Sequence, residues 1–463
     1  MSPQELVLSS PQSASTAAIH LHDLLSSAPV HQFKSSTSPQ HSVAHVQSQN
    51  AQGGAIFAVQ HDKALLNVWA WQKDQMHLKL HLPEKMTAFT VSPNGHWAAG
   101  GSPNGHIYLW EIASGLLLSS HTAHYRAITS LTFTPDSRLL LSTSLDSSSQ
   151  VYLVSRLVDP EDPASAGKPY GTLKDHTLAV RCLAVGKVAG SEGGRAWTAS
   201  DDGTVKMWSL RPPFDLLCTF SLPPTSSPAA IVVDPSERFL YVATSQGDVY
   251  HIPLFRNKGT IGGSIVEGSE EWEAVGGSGN SGVPIKAEGA VISVNDAQIT
   301  SLSLSLSSTH LLLGTSSGTI QIHSLPSHQH LRTLSPHAGP VTYLTTILRP
   351  FDLVGTVGMK GEEMPIMEVK SFERMKGRAA KEAHDPVLLV RPPSSEMATL
   401  LGGLKPTEAR QKIGGRAADG NMEEQMEELA KENQRLREAV DRASRINEKM
   451  WTGILDSKLG NQE

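Results

Sequence analysis

The sequence predicts an all-β fold, a seven-bladed β-propeller closed by both chain termini, followed by a C-terminal α-helix that forms a coiled coil. Three observations lead to this prediction. Short strands with alternating apolar residues recur at a period of about 40 residues. Strand patterns at the two ends of the repeated region complement each other. The chain ends in a charged, proline-free segment whose apolar residues follow a heptad spacing.

The composition favours a turn-rich β protein over a compact helical enzyme. Of 463 residues, 38 are Gly and 28 are Pro. The 39 Lys and Arg against 45 Asp and Glu give a net charge of −6, so charge alone does not support nucleic-acid binding. Cys182 and Cys218 are too few for a disulfide framework or a four-cysteine zinc site. Since the sequence shows neither a secretory leader nor a long apolar span, we expect a soluble protein of a reducing compartment.

A recurring strand marks six of the blades. It starts at a turn, alternates apolar positions and often ends in an aromatic residue. Its copies end at Trp69, Trp110, Val154, Trp208, Ile252 and His323. Two apolar runs precede each copy and one follows it, which gives the four antiparallel strands of a propeller blade. The longest interval contains a tract rich in Gly, Ser and Glu, which predicts a flexible insertion at about 257–290.

One predicted blade resembles a complete WD repeat. His176 follows Asp175 at the place of the Gly-His pair, Thr198 lies in the second strand, Asp202 begins the turn, and Trp208 ends the third strand. In WD repeats such residues form a hydrogen-bonded chain, because a buried Trp N–H and a turn Asp each need a partner. We therefore expect His176, Thr198, Asp202 and Trp208 to be a structural tetrad.

The other blades depart from this pattern. His124 and Asp146 occur without the tryptophan, and Trp110 has Asn104 where an Asp is expected. The fifth and sixth copies of the strand have lost the aromatic residue. The sequence therefore predicts a degenerate ring whose blades differ in rigidity.

The ends of the repeated region predict how the ring closes. Residues 5–34 contain the second, third and fourth strands of a blade, and residues 341–347 contain a first strand with no blade after it. Pairing the two closes the ring at seven blades and removes two exposed sheet edges. Residues 364–372 leave an alternative open, since they could form an extra edge strand or part of an eighth blade.

Three regions follow: a propeller at 1–373, a linker at 374–420 and a coiled-coil helix at 421–459. The predicted core positions of the helix alternate in spacings of four and three: Met422, Met426, Leu429, Asn433, Leu436, Val440, Ala443, Asn447, Met450 and Ile454. Asn or β-branched residues at the first core position, with Leu or Met at the second, favour a parallel homodimer. Pairing with another protein, or packing of the helix on the ring, is the alternative.

The sequence contains no convincing catalytic, cofactor or metal motif. GSGNSG (277–282) has dinucleotide-binding spacing but lacks the strand and helix that such a site needs. The histidine-rich stretches 20–23 and 323–330 lack zinc-site spacing. The acidic segment 267–274 could dock a basic partner or be an exposed loop, and basic 374–378 is either a weak import-like signal or a solvated linker. We predict no enzyme activity, no cofactor and no metal.

Several segments together resemble one family of degenerate WD propellers. They are ALLNVW (64–69), SPNGHWAAGGSPNGHIYLWEIASGLLL (92–118), AHYRAITSL (123–131), DHTLAV (175–180), GDVYHIPLF (247–255) and the final helix. This family is the WD-repeat subunit of the eukaryotic complex that processes pre-ribosomal RNA and matures the large ribosomal subunit. The likeness covers nearly the whole chain, apart from the 257–290 tract and the linker after 391.

The resemblance implies a non-catalytic scaffold of the nucleus and nucleolus. It would bind a large helical-repeat subunit and a further subunit of the same complex, dimerise with its own copy, and act on the late pre-60S particle. The resemblance implies that the complex is required for removal of the second internal transcribed spacer and helps recruit a dynein-related ATPase. The resemblance implies no membrane association and leaves direct RNA contact open. The alternatives are a WD adaptor or substrate receptor of an unrelated complex, such as a ubiquitin ligase or a chromatin, replication or signalling assembly, and a propeller enzyme with acid and base residues in its channel.

Overall fold

The structure, a computed structural model, confirms the all-β seven-bladed propeller. The residues that it describes are 4–12, 18–34, 36–48, 53–159, 167–187, 194–223, 226–257, 272–275, 284–287, 289–294, 297–353 and 366–375. Six of the seven blades are four-stranded sheets, one has a fifth short strand, and a two-stranded ribbon lies outside them.

The first four blades are built as follows. Blade 1 contains β1 (Glu5–Pro11), β2 (Ala18–Asp23), β3 (Pro29–Lys34) and the last strand, β31 (Val341–Leu348). Blade 2 contains β4 (Val43–Val46), β5 (Ala55–Val59), β6 (Leu65–Ala70) and β7 (Leu78–His81). Blade 3 contains β8 (Ala88–Val91), β9 (Trp97–Gly101), β10 (His106–Glu111) and β11 (Leu117–Thr122). Blade 4 contains β12 (Ile128–Phe133), β13 (Leu139–Ser144), β14 (Ser149–Leu153) and β15 (Gly171–Leu173), with the helix α1 (Val154–Val158) before β15.

The remaining blades follow the same order from the centre outwards. Blade 5 contains β16 (Val180–Val185), β17 (Arg195–Ser200), β18 (Thr204–Ser209) and β19 (Leu216–Ser221). Blade 6 contains β20 (Pro228–Val233), β21 (Phe239–Thr244), β22 (Asp248–Pro253) and β26 (Ile292–Ser293). Blade 7 contains β27 (Ile299–Leu304), β28 (His310–Thr315), β29 (Ile320–Ser324) and β30 (His330–Leu334).

The ring closes where the two ends of the propeller pair. β31 is the innermost strand of blade 1 and runs antiparallel to β1, from Glu5 opposite Leu348 to Pro11 opposite Val341. Blade 1 thus takes three strands from the start of the chain and one from beyond blade 7, as the sequence predicts. This pairing covers the inner edge of β1, which would otherwise have no neighbour.

Hydrophobic clusters fill the spaces between neighbouring blades. Seven such clusters occur among the described residues, and each joins two adjacent blades, including blades 7 and 1. Strands inside a blade are therefore buried on both faces, as in β5, where all five residues are buried. Uninterrupted apolar runs such as AIFAV follow from this burial, since neither face of the strand is left in water.

The ring has two faces, which we name by their loops. The upper face is formed by the loops that lead into each first strand, such as 123–127 and 174–179, and by the turns between second and third strands, such as 145–148 and 201–203. The lower face is formed by the other turns of each blade, such as 92–96 and 112–116.

The segment predicted as a flexible insertion contains short strands. β23 (Phe255–Asn257) pairs with β24 (Trp272–Ala274), and β25 (Ile285–Lys286) runs parallel to β19 at the edge of blade 5. Val275, 6% exposed, belongs to the cluster between blades 5 and 6. Apolar residues within this polar tract thus pack against the ring. The overall composition of the tract does not indicate this contact. The GSGNSG stretch (277–282) lies outside the described residues.

Two sequence expectations need correction. The third strand of blade 4 does not end at Val154: β14 stops at Leu153, and Val154 begins α1. Tyr152, opposite Leu140, occupies the place that Trp208, opposite Ala196, has in blade 5. Residues 366–375 contain no strand, so their described part adds neither an edge strand nor an eighth blade.

Residues 366–375 form a strap on the lower face of blade 3. The N–H of Lys370 donates to the Ile112 carbonyl at 3.2 Å, and that of Glu373 donates to the Gly115 carbonyl at 2.8 Å. Met367 and Phe372 are buried in the cluster between blades 2 and 3. The strap therefore fixes the chain to the ring after the propeller has closed.

Candidate functional site

The four residues of the predicted tetrad lie together in blade 5. The His176 ring joins the loop before β16 to two neighbours: its Nδ1 lies 3.0 Å from Asp202 Oδ2, and its Nε2 lies 2.8 Å from Thr198 Oγ1. The Trp208 indole N–H donates to the same Thr198 hydroxyl at 2.8 Å. His176, Thr198 and Trp208 are all buried. These hydrogen bonds link one loop, one turn and two strands of blade 5.

Asp202 organises the turn at the upper end of this chain. Burial would raise the pKa of its carboxyl group, but hydrogen bonds from His176 and Thr204 outweigh burial and hold the pKa well below its usual value. Its Oδ2 also accepts the backbone N–H of Thr177 at 3.1 Å. A carboxylate that accepts several hydrogen bonds stays ionised at neutral pH. Asp202 thus anchors both its own turn and the loop that precedes β16.

Blade 4 contains three parts of the same arrangement. His124 Nδ1 lies 3.1 Å from Asp146 Oδ2, and His124 Nε2 lies 2.8 Å from Ser142 Oγ. Tyr152 stands in the position of the tryptophan, but its hydroxyl donates to Gln150 instead of to Ser142. The chain of hydrogen bonds therefore ends at the serine, as the missing tryptophan predicts.

Blade 3 uses the strap in place of a tetrad. Gly100, opposite Tyr108 in the sheet, stands where blade 5 has Thr198, so no hydroxyl is available to Trp110. The Trp110 indole N–H donates instead to the Glu373 carbonyl at 2.9 Å. Its ring stacks between Tyr108 and Phe372, with centroid distances of 5.6 and 5.2 Å. Sequence reasoning missed this partner. The signals in the sequence are Asn104 at the position of the Asp and Gly100 at the position of the residue with a hydroxyl group.

A central channel runs along the axis of the ring. A cavity of about 340 Å³ is lined by the innermost strands of all seven blades. Gln40 crosses its upper end, where its amide donates to the carbonyls of Ala229 at 3.2 Å and Thr300 at 2.8 Å. Inside, His45 Nδ1 lies 2.8 Å from the Tyr343 hydroxyl, and burial lowers the pKa of His45 to about 4.

The lining of the channel bears on the enzyme alternative. None of the described residues that line this cavity is an Asp or a Glu. Among the described residues, the lining thus contains the hydrogen-bonded pair of His45 and Tyr343 but no carboxylate.

The histidine-rich stretch 20–23 does not form a metal site in the described part of the chain. The rings of His20 and His22 stack at 5.7 Å, and His337 meets His20 edge-on at 4.9 Å. Burial, with a smaller contribution from these two neighbours, lowers the pKa of His337 to about 3. No group of three or more His, Cys, Asp or Glu in the described ranges is arranged to hold a metal ion.

The predicted coiled-coil core, from Met422 to Ile454, lies outside the described residues. A homodimer through this helix therefore stays a prediction. Within the part of the chain that the structure describes, no helix has both the length and the apolar character to cross a membrane.

A family model and curated relatives match this chain. The model described as "WD domain, G-beta repeat" matches residues 73–111, 115–152 and 167–209. The chain therefore contains WD40 repeats, and the matched segments lie in blades 2 to 5. Tyr152 of blade 4 and Trp208 of blade 5 occupy equivalent positions in their sheets. The second matched segment ends at Tyr152, and the third ends one residue after Trp208, at Ser209.

Most of the curated relatives that match this chain are named for pre-rRNA processing, and one is named for its WD repeats. The chain is 33% identical over 356 residues to "Pre-rRNA-processing protein IPI3" of Mycosarcoma maydis, covering 65% of this chain and 60% of the relative. It is 34% identical over 296 residues to the protein of that name from Yarrowia lipolytica, covering 63% and 65%. It is 28% identical over 314 residues to "WD repeat-containing protein 18" of Bos taurus, covering 68% and 67%. The matched part thus spans less than two thirds of the first two relatives.

Proposed function

Because this chain is a homologue of curated pre-rRNA-processing proteins, we propose that it is a non-catalytic scaffold subunit of a nuclear complex that processes pre-rRNA. It acts in removal of the second internal transcribed spacer and in late maturation of the pre-60S particle, where it helps to recruit a dynein-related ATPase. The observation that carries the proposal is the similarity, which extends well beyond the three segments that match the WD model. Generic WD repeats alone would not favour one process over another.

The closed ring suits a scaffold. Seven hydrophobic clusters join each blade to the next, so the loops of both faces are held on a rigid frame. A rigid frame presents partner-binding loops at low cost in conformational entropy. In this proposal the ring holds a helical-repeat subunit and a further subunit of the complex, and the work is done by binding alone.

The second element of the proposal is a homodimer, formed through the helix that the sequence predicts at 421–459. Two linked copies engage one particle at two places, and such linkage raises apparent affinity by about 10² to 10⁴ when both sites can be reached. Deleting 421–463 is expected to leave a folded ring and to change the mass of the protein in light scattering from dimer to monomer. An unchanged dimer would show that self-association lies elsewhere.

The process itself is tested by depletion. Cells that lose this protein are expected to accumulate precursor RNAs that still contain the second internal transcribed spacer, detected by Northern hybridisation, and to contain fewer large ribosomal subunits. Re-expression of the full chain restores both. Normal spacer removal, together with co-purification of a ubiquitin-ligase or chromatin complex, would favour the unrelated WD adaptor instead.

A further inference from the structure

Two apolar side chains are exposed on neighbouring loops of the upper face. Tyr125, in the loop before β12 of blade 4, is 98% exposed, and Leu178, in the loop before β16 of blade 5, is 52% exposed. Neither side chain contributes to the hydrophobic clusters on the two sides of blade 4, which are formed by other residues. Exposed large apolar residues that lie together on one face are typical of an interaction surface.

The loops that carry these side chains are held in place. The backbone N–H of Tyr125 donates to Asp146 Oδ2 at 3.2 Å, and that of Thr177, next to Leu178, donates to Asp202 Oδ2 at 3.1 Å. Both carboxylates also bind the histidine of their own blade. The two loops therefore present Tyr125 and Leu178 on a fixed backbone, which lowers the entropy cost of binding a partner.

The exposed charges beside the two side chains that have no ion-pair partner among the described residues are positive. Asp146 and Asp202 are only 11% and 10% exposed and bind backbone N–H groups of the two loops. The carboxylate of Asp201 accepts from Arg181 at 2.8 Å, and that of Asp175 pairs with Lys206. Arg126 and Lys174, in contrast, are exposed and have no ion-pair partner among the described residues. They flank Tyr125 and Leu178 in the same two loops, so this surface favours a negatively charged partner.

We propose that the upper-face patch, formed by Tyr125, Arg126, Lys174 and Leu178, docks an acidic segment of a partner protein that carries an apolar anchor. Tyr125 and Leu178 contact the anchor, and Arg126 and Lys174 contact the carboxylates beside it. Tyrosine is enriched at the positions that contribute most to protein interfaces. The inference rests on this surface alone and does not require a role in pre-rRNA processing.

A single-stranded RNA fits the patch less well. Stacking platforms for bases use several aromatic side chains along a basic groove. Within the patch, Tyr125 is the one aromatic side chain, and Leu178 offers no π-face on which a base could stack. The protein and RNA partners are separated in the experiment below.

The test measures binding of defined probes to the full chain by fluorescence anisotropy. The probes are a labelled peptide with a Leu-Trp-Leu centre flanked by glutamates, the same centre flanked by lysines, and an oligouridine of similar length. The acidic peptide is expected to bind best. Tyr125→Ser and Leu178→Ser are each expected to weaken it about tenfold, the effect of losing an anchor residue. Arg126→Glu is expected to weaken it and to reduce its dependence on salt.

The matched control is Leu25→Ser, which removes an exposed leucine, 69% exposed, from the β2–β3 turn of the lower face. It is expected to leave binding unchanged. The proposal is overturned if the acidic peptide does not bind, if the lysine peptide or the RNA binds as tightly, or if Tyr125→Ser has no more effect than Leu25→Ser. Since Tyr125 is almost wholly exposed, its variant is expected to keep the parent melting temperature, which checks that the ring is intact.

Discussion

Blade 5 contains two buried tryptophans that differ in one respect, and this difference allows the tetrad to be measured. Trp208 is 4% exposed and donates its N–H to Thr198, whereas Trp197 is fully buried and its N–H has no partner among the described residues. They belong to clusters on opposite faces of the blade. Trp208→Phe removes a hydrogen bond, while Trp197→Phe removes an unpaired donor.

The expected free energies follow from this contrast. Both substitutions lose buried ring surface and cost about 1 to 2 kcal/mol for that reason. Trp208→Phe loses in addition a hydrogen bond worth about 1 kcal/mol. Trp197→Phe relieves the cost of an unsatisfied donor, also about 1 kcal/mol or more. Trp208→Phe is therefore expected to destabilise the ring by about 1 to 3 kcal/mol more than Trp197→Phe.

The assay is urea unfolding followed by far-UV circular dichroism, which does not depend on tryptophan fluorescence. A double-mutant cycle with Thr198→Val isolates the pair and is expected to give a coupling energy of about 1 kcal/mol. Equal losses for the two tryptophan variants, together with zero coupling to Thr198, would refute the assignment of the hydrogen-bonded chain as a stabilising unit.

Two further predictions concern the strap and pH. Phe372→Ala removes the ring that stacks on Trp110 at 5.2 Å, so thermal unfolding is expected to show a loss of about 3 kcal/mol and hydrogen exchange to rise in blade 3, whereas Met375→Ala, 83% exposed, is expected to change neither. Burial lowers the pKa of His337 from 6.5 to about 3, so the unfolded chain binds more protons between these values. Stability is therefore expected to fall as pH drops below about 6.5, by up to about 1.4 kcal/mol per pH unit for this group. His337→Asn is expected to reduce that slope in melting curves recorded from pH 7 to 5, and an unchanged slope would contradict the role of His337.

Features that repeat along the chain could be predicted from the sequence. The spacing of the strands predicts the number of blades. The unmatched strand patterns at 5–34 and 341–347 predict that the ring closes by pairing these two segments. The residues of the tetrad could be named because each occupies a fixed place within one repeat. Such features follow from local patterns, which a single sequence displays.

Features that depend on contacts outside the repeat could not be predicted. Trp110 finds its acceptor at Glu373, in a segment with no repeat pattern. The end of β14 was misplaced because Tyr152 and Val154 both continue the alternation, and only the sheet register separates them. The exposure of Tyr125 could not be predicted either, because an aromatic residue that precedes an apolar strand can be buried or exposed.

The pairing of β1 with β31 has a consequence for synthesis of the protein. β1, β2 and β3 leave the ribosome before the rest of the ring, but the edge of β1 that β31 covers has no neighbour until Val341 and the residues after it have been made. An uncovered edge invites pairing with other nascent chains. A holding chaperone that engages the amino-terminal strands during translation would protect the newborn chain until the circle is complete.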